Sequence, residues 1–256
     1  MFRPCIDLHQ GQVKQVVGGG FGEGEEAPPT NFVADRPASW FASRYREDGL
    51  TGGHVIRLGP GNDEAARGAL EAYQGGLQLG GGVTLDNATE WLDAGASHVI
   101  VTSAVFRNGQ IDESALAKFR SLVGPERLVL DLSCRERDGA FWIVTDRWRR
   151  FTKERLTEGL LVRLAESCAE FLVHAVDVEG LCRGVERRVV EMMASGSPIP
   201  ATYAGGAQSM SDLEWVTEVS AGRVDLTIGS ALDLFGGTGV RYEDAVAFNR
   251  KCLGAS

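Results

Sequence analysis

The sequence predicts an α/β protein, a (β/α)8 TIM barrel of two fused half-barrels, with residues 1–256 forming a single domain. Three observations predict it. Apolar strand-like runs alternate with helical patterns eight times over 256 residues, the length such a barrel needs. No Gly-x-Gly-x-x-Gly opens the first helix and no linker divides the chain, which weakens the alternative of an open doubly wound sheet. Finally, the chain matches itself at an offset of 124: Asp7 with Asp131, Gly81-Gly82 with Gly205-Gly206, and Trp91 with Trp215. Ser103 and Ser230 match at an offset of 127, each just past an apolar run.

Taken in order, Phe2–Leu8 is a strand with one carboxylate, Asp7, near its tip. A buried strand tolerates an acid there only where water, a ligand or a partner group meets it. Polar residues and then Gly18–Gly20 follow, so this connection reads as a loop and Gly18–Gly24 as a lid over Asp7. Pro37–Asp48 has a helical pattern that stops at Gly49, and His54–Leu58 is a strand. Asn62–Tyr73 starts with a capping Asn and two acids, as a helix should. Leu77–Leu79 is a strand running into Gly80-Gly81-Gly82, followed by a helix over Asp86–Ala94. The strand His98–Thr102 ends at Ser103 and precedes the helix Asp112–Leu122. Arg127–Leu132 brings a second acid, Asp131, to a strand tip. In the long connection Ser133–Trp148, Asp138-Gly139 marks a small hairpin, and Thr152–Glu166 reads as the helix after it. Strands at Phe171–Val176, Ala201–Ala204 and Val224–Ile228 alternate with helices at Gly184–Ala194, Ser211–Val219 and Tyr242–Lys251.

Charge and composition narrow the function. A net charge of -9 argues against a nucleic-acid surface, because phosphate backbones demand clustered Lys and Arg. The apolar runs are strand-sized, so no membrane span is expected. The first residues carry one arginine and then Asp7, unlike a signal or transit peptide, and a cytoplasmic location is expected. Five cysteines, widely spaced and without a Cys-x-x-Cys, suit a reduced setting, and the four histidines show no zinc-ligand spacing.

Topology then places a site. Strands 1 and 5 of an eight-stranded barrel face each other, so Asp7 and Asp131 project toward one centre. The glycine-bearing ends of strands 3–4 and 7–8 face each other on the crossing axis. Glycines after a strand let backbone N–H groups approach an oxyanion, and a following helix start adds positive dipole. Two such grips predict a small-molecule substrate with a phosphate at each end and its reactive atoms midway, between two carboxylates.

The motifs FRPCIDLHQGQVKQVVGG, HVIRLGPGN, LGGGVT, LDLSCR, HAVDVEGLCRG, YAGG and GSALDLFGG run in order nearly end to end and resemble the ProFAR isomerase family of histidine biosynthesis, in wording closest to its fungal and plant branch. The resemblance implies a monomeric (β/α)8 barrel that needs no cofactor or metal. It also implies an Amadori rearrangement of a phosphoribosylformimino-aminoimidazole carboxamide ribotide, aminoaldose to aminoketose, by carboxylate acid–base catalysis. By the same resemblance Asp7 is assigned as base and Asp131 as acid, the reverse order fitting the sequence as well; the acid needs a raised pKa. Gly81, Gly82, Ser103, Gly205, Gly206, Gly229 and Ser230 match phosphate loops, and Gly19, Gly180 and Asp177 are further substrate contacts. Trp148 either stacks on the imidazole carboxamide or covers the barrel rim. At the end of strand 6, Glu179 takes the supporting carboxylate's place, with Asp177 as the alternative, and His174 the place of a threonine. His174 could equally be a packed, hydrogen-bonded histidine.

Val83-Thr84 stands where many relatives carry an arginine, so a charged contact is missing or comes from elsewhere, for example Lys14 or Arg183. Three rival functions fit less well. The cyclase subunit of imidazole glycerol phosphate synthase typically has a Gly-Arg-Val-Val-Lys-Gly loop where this chain has Gly11-Gln12-Val13-Lys14-Gln15. A lysine Schiff-base aldolase would lack its nucleophile, since Lys14, Lys118, Lys153 and Lys251 lie off the expected strand ends. A non-catalytic phosphometabolite-binding barrel would bind without turnover.

Overall fold

The computed structural model describes residues 1–17 and 29–254. Gly19 and the Gly18–Gly24 lid expected from the sequence lie outside the described residues. Among those described, eight parallel runs form one large curled sheet in chain order: Cys5–His9, Gly53–Arg57, Leu77–Gly80, Val99–Val101, Leu128–Asp131, Glu170–His174, Ala201–Ala204 and Val224–Thr227. The two ends of this order meet in one stretch of chain. Cys5 pairs with His54 on one side, while Phe2, just before Pro4, pairs with Leu226 on the other. Proline has no N–H to donate, so the ladder is interrupted where the run changes partner.

The strands are largely apolar on both faces, as suits parallel strands covered on both sides, with buried polar exceptions at His54, Gln78, Glu170, Thr202 and Asp225. Alternate residues fall into separate clusters, following the period of two. Val99, Val101, Leu128, Leu130, Phe171 and Val173 pack into a large core with helix residues such as Phe41, Tyr45, Leu70, Trp91 and Phe119. Ile100, Val129, Leu172 and Ala204, with Ile56 against them, form a small cluster inside the curl. Helix starts follow from local chemistry. Asp112 accepts from the Ala115 amide and Thr157 from the Leu160 amide, and Ser209 with Asp212 forms a reciprocal capping box. No helix among the described residues is long and apolar enough to cross a membrane.

Two regions differ from the sequence expectation. Gln12–Val16 is a strand, not loop, and Thr30–Val33, to which the sequence assigned no element, is a strand beside it: Val13 pairs antiparallel with Leu8, and Val33 with Lys14. Gln10 and Gly11, both at positive φ, make the tight turn that directs the chain back. The hairpin expected in Ser133–Trp148 is present as Cys134–Arg137 with Ala140–Thr145, turning at Asp138-Gly139. It has a third strand, Arg150–Arg155, which takes up the start of the helix predicted over Thr152–Glu166, and the helix proper is Glu158–Leu164. Pairing of Phe151 with Val144 outcompetes a helical start at Thr152, and Thr157 then caps the helix.

Candidate active site

The parallel sheet puts all its strand C-termini at one mouth, and the predicted site residues gather there. A cavity of about 550 Å³ is lined by Gly81, Gly82 and Ser103 at one end and by Asp131 and Trp148 beside them, a volume suited to a small organic ligand. A smaller, tighter cavity is lined by Gly180, Gly205, Gly206, Gly229 and Ser230. Asp7, His174 and Glu179 line both, so the acidic centre sits where the two cavities meet.

Backbone geometry explains the glycines. Gly81 has φ +83°, and a Cβ there would lie 2.1 Å from the Arg57 carbonyl oxygen; Gly205 has φ +119°, and a Cβ there would lie 2.7 Å from the Ala175 carbonyl oxygen. Each strand end therefore passes its neighbour so closely that only glycine fits. An α-helix dipole is not common to these ends: Ser103 and Gly229-Ser230 lead into short 3-10 turns. The helix after Gly82 spans only Ala88–Asp93.

The two aspartates have opposite electrostatics. Burial, then the neighbouring Glu179 charge, push Asp7 up to about 7, with His174 pulling the other way. Burial also pushes Asp131 upward, but it is overcome by the His174 side chain and by hydrogen bonds from hydroxyls, so its pKa falls below the usual carboxylate value. Those bonds are explicit. Oδ1 accepts from the Ser133 amide at 2.9 Å and its hydroxyl at 2.7 Å, and Oδ2 from the Thr102 hydroxyl at 3.1 Å. Of the two aspartates, whose order of acid and base the sequence left open, Asp7 is the one with the raised pKa.

His174 Nδ1 lies 3.7 Å from Asp131 Oδ1, an ion-pair distance rather than a hydrogen bond. Burial lowers the His174 pKa, yet attraction by Asp131, Glu179 and Asp7 wins and carries it up to about 8. His54, whose ring centroid is 5.9 Å from that of His174, is held neutral by burial and by the His174 charge, with a pKa of about 3. Glu179 is raised, chiefly by burial.

The other predicted residues take up distinct places. Trp148 Nε1 donates to the Ser133 hydroxyl at 3.3 Å, and its ring stands 6.1 Å from that of His174. Asp177 is not brought to either cavity: it accepts from Arg135 Nε at 2.7 Å and the Glu136 amide at 2.8 Å, anchoring the Cys134–Arg155 hairpin. Lys14 is drawn away too, with Nζ 3.2 Å from His9 Nδ1.

Sequence reasoning missed several neighbours. Asn31 donates to the Gly180 carbonyl at 2.8 Å and to Ser230 Oγ at 3.2 Å, tying the Thr30–Val33 strand to the smaller cavity. Gln15, buried in the overlooked strand, lines that cavity as well. Arg57 lines the larger one. Its signal was available, since a cation closes the apolar run HVIR just as Asp7 nearly closes its own.

The fold and site define a parallel α/β protein with a cluster of buried carboxyls and a histidine between two glycine-lined cavities. A model of the family described as histidine biosynthesis protein matches residues 1–239, and the chain belongs to that family. It is 49% identical over 253 residues to a Neurospora crassa protein, with 98% of both chains covered. It is 44% identical over 257 residues to one from Saccharomyces cerevisiae, again covering 98% of both. Against a Medicago truncatula protein the identity is 49% over 256 residues, covering 98% of this chain and 82% of the relative. The fungal proteins are named 1-(5-phosphoribosyl)-5-((5-phosphoribosylamino)methylideneamino)imidazole-4-carboxamide isomerase, and the plant one bears the same name as a chloroplastic form. That is the isomerase family the sequence motifs resemble.

Proposed function

We propose that this chain is an isomerase of histidine biosynthesis acting on the bis-phosphoribosyl imidazole carboxamide compound for which its relatives are named. It converts the aminoaldose to the aminoketose. One observation carries the reading: Asp7, His174 and Glu179 lie where two cavities join, each with strand-end glycines on its wall. A substrate with two phosphates spans both, which sets its reacting sugar against the acids.

In the proposed chemistry, a proton goes to the ribose ring oxygen, the ring opens and an iminium forms. A base then removes the C2 proton to give an enolamine. Its C2 hydroxyl loses a proton as C1 gains one, leaving the ketone with protons in balance. Asp7, near 7, is matched to take the C2 proton at neutral pH. Opposite it, Asp131 is an anion and the available proton rests on His174, so the acid is the Asp131–His174 pair rather than the Asp131 carboxyl alone.

Gly81, Gly82 and Ser103 bind one phosphate and Gly205, Gly206, Gly229 and Ser230 the other, with Gly180 beside them. Trp148 stacks on the imidazole carboxamide. The same reading makes the curled sheet a closed (β/α)8 barrel of two half-barrels forming one domain, in a monomeric cytoplasmic enzyme. Gly81 and Gly205, each pressed on a neighbouring strand's carbonyl, support the half-barrel repeat.

Incubation with the aminoaldose, followed chromatographically, is expected to yield the ketose. Asp7→Asn and Asp131→Asn are each expected to abolish turnover while substrate affinity stays within about tenfold, roughly 1.4 kcal/mol. Near-normal kcat in either variant would falsify the two-carboxylate mechanism.

A further inference from the structure

A phosphate at the Gly81-Gly82 end needs a positive partner, in a chain whose net charge is -9. Neither of the next residues, Val83 and Thr84, carries charge. The following helix, Ala88–Asp93, has 6 residues, too few for a useful dipole.

Arg57 ends the strand Gly53–Arg57, and its side chain is only 9% exposed. Nη1 donates to Asp63 Oδ1 at 2.7 Å, and the guanidinium carbon lies 4.2 Å from the Trp91 ring centroid. Nε and Nη2 are buried and have no hydrogen-bond partner among the described residues. Buried donors without acceptors are rare in folded proteins because each has given up water for nothing. Asp63 accounts for one nitrogen and Trp91 for the position of the plane, which leaves an Nε/Nη2 edge unused. That edge is the one that grips two oxygens of a phosphate at once. It is also well placed: a Cβ built on Gly82 would lie 3.8 Å from Nη2, and Arg57 lines the large cavity with Gly81, Gly82 and Ser103.

We propose that Arg57 is the cationic anchor of one substrate phosphate, binding it through Nε and Nη2 while Asp63 and Trp91 hold the guanidinium in place. It supplies the charge for which the sequence offered Lys14 or Arg183. The proposal rests on the bisphosphate reading of the site.

Inorganic phosphate, titrated calorimetrically into the full chain at low ionic strength, tests it without turnover. Wild type is expected to take up phosphate at two sites and Arg57→Met at one; equal uptake by both proteins overturns the proposal. In turnover, Arg57→Met is expected to raise KM about thirtyfold with kcat within about threefold, because the contact is made before and during reaction alike. Arg57→Lys should recover part of the loss, keeping the charge without the fork. An unchanged KM in Arg57→Met also overturns it. Should Arg57→Met not fold, wild type labelled with 15N-arginine answers instead: the Arg57 Nε–H resonance, assigned with Arg57→Lys, must shift on adding phosphate, and no shift overturns the proposal. Failure of the isomerase reading looks different, since phosphate then binds at both ends and no ketose forms.

Discussion

Asp7 and Asp131 occupy matching strand tips, and their neighbours make one a proton acceptor near neutrality and the other a fixed anion. Activity should therefore follow a narrow bell in pH. The limb near 7 reports Asp7 losing its proton, and the limb near 8 reports His174 losing its own. His174→Gln is expected to remove the alkaline limb of kcat/KM as well as lowering kcat. Stability carries the same signature. A carboxyl raised from 3.8 to about 7 stabilises the fold fully below 3.8, and that contribution is lost as pH rises through 7. Asn stays neutral throughout, so Asp7→Asn should match wild type near pH 4 and exceed it at pH 8.5 by up to about 4 kcal/mol in urea unfolding. The sequence displayed the two acids because their offset of 124 is visible in the letters. It could not display their proton affinities, which depend on Thr102, Ser133, His174 and Glu179 converging from separate strands and loops.

At the level of elements, strand tips were legible where glycine or an acid followed an apolar run, and the added strands were not. Gln12–Val16 reads as a polar loop because three of its five residues, Gln12, Lys14 and Gln15, are polar, yet Lys14 and Gln15 are buried. Thr152–Arg155 reads as the start of a helix because its charges suit either state and only pairing with Ala140–Thr145 decides. The Cys134–Arg155 hairpin carries Trp148, so its anchor matters: Asp177→Ala is expected to raise KM a few-fold and leave kcat unchanged, measured by steady-state kinetics. A direct contact between the Asp177 carboxylate and a substrate hydroxyl would cost far more. Gly81→Ala forces a Cβ against the Arg57 carbonyl at positive φ, and a loss of about 3 kcal/mol or more in urea unfolding is expected.

Across the whole molecule, the alternation of strands and helices predicts the parallel order correctly, because each connection is long enough to cross over and the strands are largely apolar on both faces. What joins the ends of that order was invisible in the sequence. Asn249, in the last helix, accepts from the Phe2 amide at 2.7 Å and donates to the Phe2 carbonyl at 2.8 Å. Asp225 takes the N-terminal ammonium and Arg3. Asn249→Ala leaves buried backbone groups of Phe2 short of partners and is expected to cost about 2–3 kcal/mol in urea unfolding, with the m-value unchanged.

The break at Pro4 also sets an order in time. As the chain leaves the ribosome, Cys5–His9 can pair with Gly53–Arg57 early, but Phe2 must wait for Leu226. Contacts so distant in sequence carry the larger loop-closure cost. Until they form, Thr227, Gly229 and Ser230 are not yet beside Asp7 to close the smaller cavity around it. A nascent chain short of that strand is thus expected to leave Asp7 open to water on that side.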